Sequence, residues 1–200
     1  ENPTNLAIDG QGFFMVSDGS QTHYTRDGRF AFNNGMLTNS EGKNVMGYKL
    51  DAQGNICSDP QPIELHLDPA TKLYGGKYTG YHFDETGKLY GEQTITDPIT
   101  GQTVSESVPI AQVSVASFAN ASGLKKTGTT TFGKTEGSGE AGVGVAGAMG
   151  RIAAGSLELA NVDFAQQAAA IGMAKQNYEA NFAAFRAMDK LTESAIGLVR

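Results

Sequence analysis

The 200-residue chain contains no tryptophan and one cysteine, Cys57. A single cysteine excludes an internal disulfide and a zinc site built from several thiolates, so Cys57 reads as a small strand or core residue. Positive charge is scarce: 15 Lys and Arg stand against 21 Asp and Glu, for a net charge of −6. That balance argues against nucleic acid or an anionic membrane surface as the main partner. No run of 18 apolar residues exists, so no membrane-spanning helix is expected. The opening Glu-Asn-Pro-Thr-Asn lacks the basic and apolar regions of a signal peptide, and none is expected. Catalytic signatures are missing too. There is no Gly-x-Ser-x-Gly elbow and no Cys/His pair at a family spacing. Carboxylates fall mostly in turns or among polar helix residues, which gives a glycosidase-type acid pair nothing to recommend it. Neither an enzyme nor a bound cofactor is expected.

What the chain does have is glycine, 26 residues of it, much of it in turns. Residues 5 to 57 read as short strands separated by Asp9-Gly10, Asp27-Gly28, Asn34-Gly35, Glu41-Gly42 and Gln53-Gly54. Asp-Gly and Asn-Gly supply the positive φ that hairpin turns need, so an antiparallel meander or barrel-like β domain is expected. Tyr24, Phe30, Phe32 and Tyr48 read as packing residues within it. Pro60, Pro62 and Pro69 bracket an edge strand around Ile63–Leu67. Residues 66 to 108 read as a small inserted region with one clear hairpin, Tyr81 to Tyr90. Pro109 to Phe118 returns to strong strand character. Residues 133 to 160, rich in glycine and alanine, read as a linker. The division expected is therefore a β domain over 1–132, a linker over 133–160 and a terminal helix over 161–200.

Three weaker signals resolve toward structure. Gly137-x-Gly139-x-x-Gly142 and Gly142-x-Gly144-x-x-Gly147 match a dinucleotide fingerprint, but no strand leads into them and no helix follows at once. His23, His66 and His82 lie on separate strands and read as solvated residues rather than as metal ligands. Asp51-Ala-Gln-Gly-Asn lacks the spacing and the closing glutamate of a calcium loop and reads as a turn.

The organising stretch is the last forty residues. Phe164, Ile171, Tyr178 and Phe185 recur every seven residues, with Phe182, Met188 and Leu191 among the apolar residues between them. This periodicity predicts one long helix with an apolar stripe, opened by Asp163 and Gln166 as a capping box. A sustained heptad of this kind calls for a partner helix, as in a coiled coil. No second segment of comparable length and period occurs in the sequence. The stripe Phe164, Ile171, Tyr178, Phe182, Phe185, Met188 and Leu191 is therefore the candidate assembly interface.

Three ordered stretches resemble the bacterial flagellar axial family, the rod and hook proteins. Asn5-Leu-Ala-Ile-Asp-Gly-Gln-Gly-Phe-Phe-Met-Val, followed by Tyr24-Thr-Arg-Asp-Gly-Arg-Phe30 and Gly47-Tyr48, is similar to the entry into that family's β domain. Val115-Ala-Ser-Phe-Ala-Asn-Ala-Ser-Gly-Leu-Lys125 resembles its Phe-x-Asn-Pro-x-Gly-Leu segment, with Ala121 in place of proline. Gly155-Ser-Leu-Glu-Leu-Ala-Asn-Val-Asp163 and Gln176-Asn-Tyr-Glu-Ala-Asn181 resemble its C-terminal signature.

The family's N-terminal helix, with its Asn-Asn-Ile-Ala-Asn motif, has no counterpart here. Because that helix pairs with the C-terminal one in the family, its absence accounts for the missing partner and implies a fragment. Ala168-Ala-Ala-Ile-Gly-Met173 and Lys175-Gln-Asn177 also depart from the family's usual residues. The resemblance implies no catalysis. It implies a subunit exported through the flagellar type III apparatus that assembles helically into a tube. Its partners would be its own copies and neighbouring axial, junction and cap proteins, with no nucleic acid and no membrane insertion. Asn161-Val162-Asp163 and Gly123-Leu-Lys-Lys126 resemble hook members more than distal rod members. The resemblance therefore implies a subunit of the hook, the tube that transmits torque from rod to filament, with a distal rod protein as the alternative. Two readings from other classes stand beside this one: a secreted β-rich carbohydrate-active enzyme or adhesin, and a monomeric domain whose helix packs on its own chain.

Overall fold

The computed structural model describes residues 2–96, 102–146, 151–158 and 164–198. The chain divides into two compact units, residues 1–158 and 159–200. Within the first unit, the described residues form fourteen strands. The amino-terminal seven are β1 (Leu6–Asp9), β2 (Phe13–Ser17), β3 (Thr22–Thr25), β4 (Ala31–Asn33), β5 (Met36–Thr38), β6 (Asn44–Lys49) and β7 (Gln61–Pro62). They are followed by β8 (Gly80–Phe83), β9 (Lys88–Thr96), β10 (Thr103–Ser117), β11 (Lys125–Lys126), β12 (Thr131–Gly133), β13 (Gly142–Val145) and β14 (Arg151–Ala154). The described residues of the second unit form one helix, α1 (Phe164–Leu198).

β1 and β14 form a two-stranded sheet, and the rest join one larger antiparallel sheet in the order β11-β12-β3-β2-β10-β6-β5-β4. Its ends are β11 and β4, so the sheet stays open and does not close into a barrel. β10 is the strand around which it is built. Over its 15 residues it pairs in turn with β9, β6, β2 and β13. The register shifts between Pro109 and Ala111, a bulge at the one residue of this strand that has no N–H to give the ladder.

Alternation along the strands separates two cores. On β2, Phe14 and Val16 enter the larger cluster with Leu6, Phe30, Leu37, Val45, Leu89, Val113 and Ile152. Phe13 and Met15 point the other way, into a smaller cluster with Tyr24, Ala116 and Phe118. Successive strand side chains face opposite sides, so one strand can seed both layers. The rings interlock edge to face: Phe14 on Phe30 at 5.0 Å between centroids, and Tyr24 on Phe118 at 4.7 Å. Tyr24 and Phe30 thus pack as the sequence suggests, while Tyr48 is half-buried.

The glycine-rich stretch expected to be a linker differs most from its sequence reading. It contains the last residue of β12 and all of β13 and β14, and Ser138, Ala146 and Ile152 within it are buried. In β13 a Gly-Val-Gly-Val run pairs with Ser114–Ser117 of β10. Backbone hydrogen bonds, which need no side-chain bulk, hold that strand. β14 returns to pair with β1, so the stretch completes the β unit instead of leaving it. The residues of the second glycine fingerprint run past Ala146 and lie partly outside the described residues.

The inserted region contains the expected hairpin, β8 with β9. Its turn is closed by the Asp84 carboxylate, which accepts bonds from the Thr86 N–H, the Thr86 hydroxyl and the Lys88 N–H at 2.8–2.9 Å. A longer ribbon, β9 with β10 from Thr96 and Thr103 inward, was not expected.

Candidate assembly surface

α1 runs for 35 residues, roughly 52 Å at 1.5 Å per residue. It contains no proline, and its eight alanines after Phe164 within the first 21 helical residues favour the helical state against the cost of Gly172, about 1 kcal/mol. The expected opening residue Asp163 lies outside the described residues. So does the side chain of Phe164. Every other described side chain on the helix is exposed, the large apolar ones included: Ile171, Met173, Tyr178, Phe182, Phe185, Met188, Leu191 and Ile196. Tyr178, Phe185 and Leu191 retain 70–71% of their surface.

Helical geometry, at about 100° per residue, shows which of these act together. Ile171, Tyr178, Phe182, Phe185 and Ile196 fall within a sector of roughly 60°. Met188 lies about 60° beyond its edge. Leu191 and Met173, each nine residues from Phe182, lie on the opposite face. The candidate interface is therefore a narrow stripe, with one residue beside it and an apolar pair behind it. Along the stripe Tyr178 and Phe182 stack nearly parallel, 6.4 Å between centroids. The Arg186 guanidinium sits 4.6 Å from the Phe182 ring centre, a cation–π contact.

In the β unit, the segments that resemble the axial family are tied together by Arg26. Its guanidinium donates to the carbonyl oxygens of Gly10 and Gly12 at 2.7 and 2.6 Å, and to that of Ile8 at 3.3 Å. Its Nε and Nη2 also form a fork with the Glu158 carboxylate at 2.9 and 3.0 Å. One side chain from the Tyr24–Phe30 motif thus holds the Asp9–Gly12 turn of the first motif and a residue of the Gly155–Asp163 signature. Two residues on, Gly28 accepts the Leu6 N–H at 3.0 Å. A Cβ at Gly28 would stand 1.6 Å from the Leu6 carbonyl oxygen, so no other residue fits that crossing. The Asn120–Gly123 motif is anchored likewise: Asn120 Nδ2 donates to the Gly137 carbonyl and Thr135 Oγ1 to that of Gly123.

A second polar anchor joins β12 to the turn before β6. Glu41 accepts bonds from Lys43 Nζ, the Thr130 N–H and the Thr131 hydroxyl at 2.5–2.9 Å. The Lys43 ammonium foremost, and the Thr130 N–H next, hold its carboxyl down at about 2.

The histidines do not converge. His23 bridges Thr127 and Asp18 at 3.1 Å each, His66 lies 3.7 Å from Glu64, and His82 meets Glu92 while stacking on Tyr90. Among the described residues no group of three His, Cys, Asp or Glu is placed to hold a metal ion. No helix there is long and apolar enough to cross a membrane. Concave surfaces exist, one of them of about 590 Å³ beside Phe32, His66, Tyr74 and Tyr81, but no carboxylate lines it.

Comparison with known proteins agrees with the motifs. Residues 7–112 match the family model of the flagellar hook protein FlgE/F/G D1 domain. The flagellar basal-body rod protein FlgG of Borreliella burgdorferi is 28% identical over 201 residues, covering 98% of this chain and 65% of that protein. FlgG of Bacillus subtilis is 26% identical over 98% of this chain and 65% of its own length. The flagellar hook protein FlgE of Helicobacter pylori is 28% identical over 92% of this chain and 26% of that protein. The chain thus spans about 65% of the length of the rod proteins it matches. The matched region runs from β1 into β10 and contains Arg26, Gly28 and the turns they fix. The chain belongs to the flagellar hook protein FlgE/F/G D1 domain family, the axial structural proteins of the bacterial flagellum.

Proposed function

We propose that this chain is a structural, non-catalytic subunit that self-assembles helically into a tube of the flagellar axis, with α1 as its main adhesive element. The observation that carries this reading is the exposed stripe of Ile171, Tyr178, Phe182, Phe185 and Ile196 on a 35-residue helix. Each large apolar side chain buried by a neighbour stabilises association by roughly 1.5–3 kcal/mol before the entropy of assembly is counted.

Within the axis, we infer a place in the distal rod, with the hook as the second reading. The rod proteins align over 201 and 200 residues and 98% of this 200-residue chain, with little room for large internal insertions. The hook reading rests on Asn161-Val162-Asp163 and Gly123–Lys126, and on 34% identity over 128 residues to the hook protein of Borreliella burgdorferi. Immunogold labelling of purified hook–basal bodies from the source bacterium tests both. Label confined to the rod supports the first reading, label along the curved hook the second. Label on neither would overturn the axial assignment.

A further inference from the structure

The β9–β10 ribbon carries the inner face of the β unit beyond its cover. On that face Leu89 is fully buried, and Gly91 lies under the Tyr78 ring, which a Cβ at Gly91 would meet at 2.4 Å. Past Tyr78 the same face continues through the Gln93–Glu106 pair to Ile95 opposite Val104. These two apolar residues are 46% and 59% exposed. On its outer side β10 has no strand partner from Thr103 to Ser107 among the described residues; β6 joins it from Ala111. The ribbon therefore offers an open strand edge with an apolar tip and an acidic side chain, Glu106, in its middle.

The opposite chemistry stands at one end of the main sheet. β11 pairs with β12 alone, and both its residues, Lys125 and Lys126, are exposed and without an ion pair among the described residues. Lysines on an open edge deter neutral or basic strands from pairing there. An acidic strand meets no such penalty. Because neighbouring side chains alternate between faces, one of the two lysines lies on the Glu106 side whichever way the strands register.

We propose that the β10 edge from Thr103 to Ser107 docks on the Lys125–Lys126 edge of a second copy of this chain. The contact joins two different patches, so each copy keeps one of each free and the contact repeats head to tail, as an open helical assembly requires. The proposal rests on the self-assembly reading above and specifies a contact outside α1.

Charge exchange in the full chain tests it, with self-association followed by sedimentation at low and high salt. Glu106→Lys alone, and Lys125→Glu with Lys126→Glu, each weaken association about tenfold at low salt. The triple variant carrying all three reversals recovers most of that loss, and Glu106→Gln alone weakens association about two- to fivefold. All four variants keep the wild-type thermal unfolding midpoint, because every altered side chain is exposed. Wild-type association that is indifferent to each reversal, strengthened by loss of the lysines, or not restored in the triple variant overturns this contact and leaves the tube reading standing. A wild-type chain that does not self-associate at any concentration overturns both.

Discussion

Removing the Arg26 guanidinium should destabilise the β unit far more than its position in a surface loop would suggest. Arg26→Ala deletes three bonds to the carbonyls of Ile8, Gly10 and Gly12, together with the fork to Glu158. Hydrogen bonds to a charged group are worth about 1.5–3 kcal/mol each where water cannot replace them. Here water replaces part, since the Arg26 side chain is 30% exposed. The carbonyl bonds together then contribute about 2 kcal/mol, and the half-open pair with Glu158 less than about 1 kcal/mol. For a unit of this size a loss of 2–3 kcal/mol lowers the unfolding midpoint by about 4–12 °C. Near-ultraviolet circular dichroism of the tyrosines reports it without interference from tryptophan, which the chain lacks. Arg26→Lys keeps the charge but loses the planar fork, and should recover less than half of the loss. Glu158→Gln should cost less than about 1 kcal/mol. A midpoint for Arg26→Ala within 1 °C of wild type, by the scaling above, would refute the clamp, and so would full rescue by lysine.

Other outcomes follow from the same geometry. Phe14→Ala empties a fully buried site that contacts Phe30, and should cost about 3–5 kcal/mol in urea unfolding. Glu41 titrates at about 2 in the folded chain against an ordinary 4.5. Its depressed value means its contribution is fully present above the unfolded pKa and is lost as pH falls from 4.5 toward 2. Glu41→Gln should therefore lower stability at pH 7 and flatten that acid limb, as an acid titration of the unfolding midpoint would show. Phe185→Asp or Ile171→Asp should leave the unfolding of the β unit unchanged within about 0.5 kcal/mol while abolishing sedimentable assembly. Leu191→Asp, on the opposite face of α1, separates the two faces: loss of assembly there too would mean that neighbours contact α1 on both sides.

How far the fold could be read from residues depended on whether side chains or backbone carried the structure. The short strands of β1 to β6 were legible because Asp-Gly and Asn-Gly turns cut the sequence where apolar residues alternate. Helix α1 was legible from its heptad. The strands β13 and β14 were not: Gly142-Val-Gly-Val has the composition of a linker, and what fixes it is a ladder to β10 that no local pattern announces. The ribbon was missed for a related reason. Gln93-Thr94-Ile95-Thr96 and Thr103-Val104-Ser105-Glu106 carry one apolar residue each, too few for an alternating pattern, and only their β-branched residues hinted at strands. Arg26 was visible as part of a motif, but its bonds are to carbonyl oxygens of a distant turn, which sequence spacing cannot reveal. The stripe on α1 was read as one face; angular geometry moves Leu191 to the other.

Hydrogen exchange across residues 164–198 tests the central claim most directly, comparing dilute chain with the sedimented assembly. The account predicts rapid exchange along α1 in dilute solution, with Val113 and Val115 of β10 protected throughout. In the assembly the same helical amides should slow by at least about a hundredfold as neighbours cover the stripe. Strong protection of α1 in a monomer, unchanged by concentration, would mean that the stripe is covered by its own chain, and the helix would no longer account for assembly.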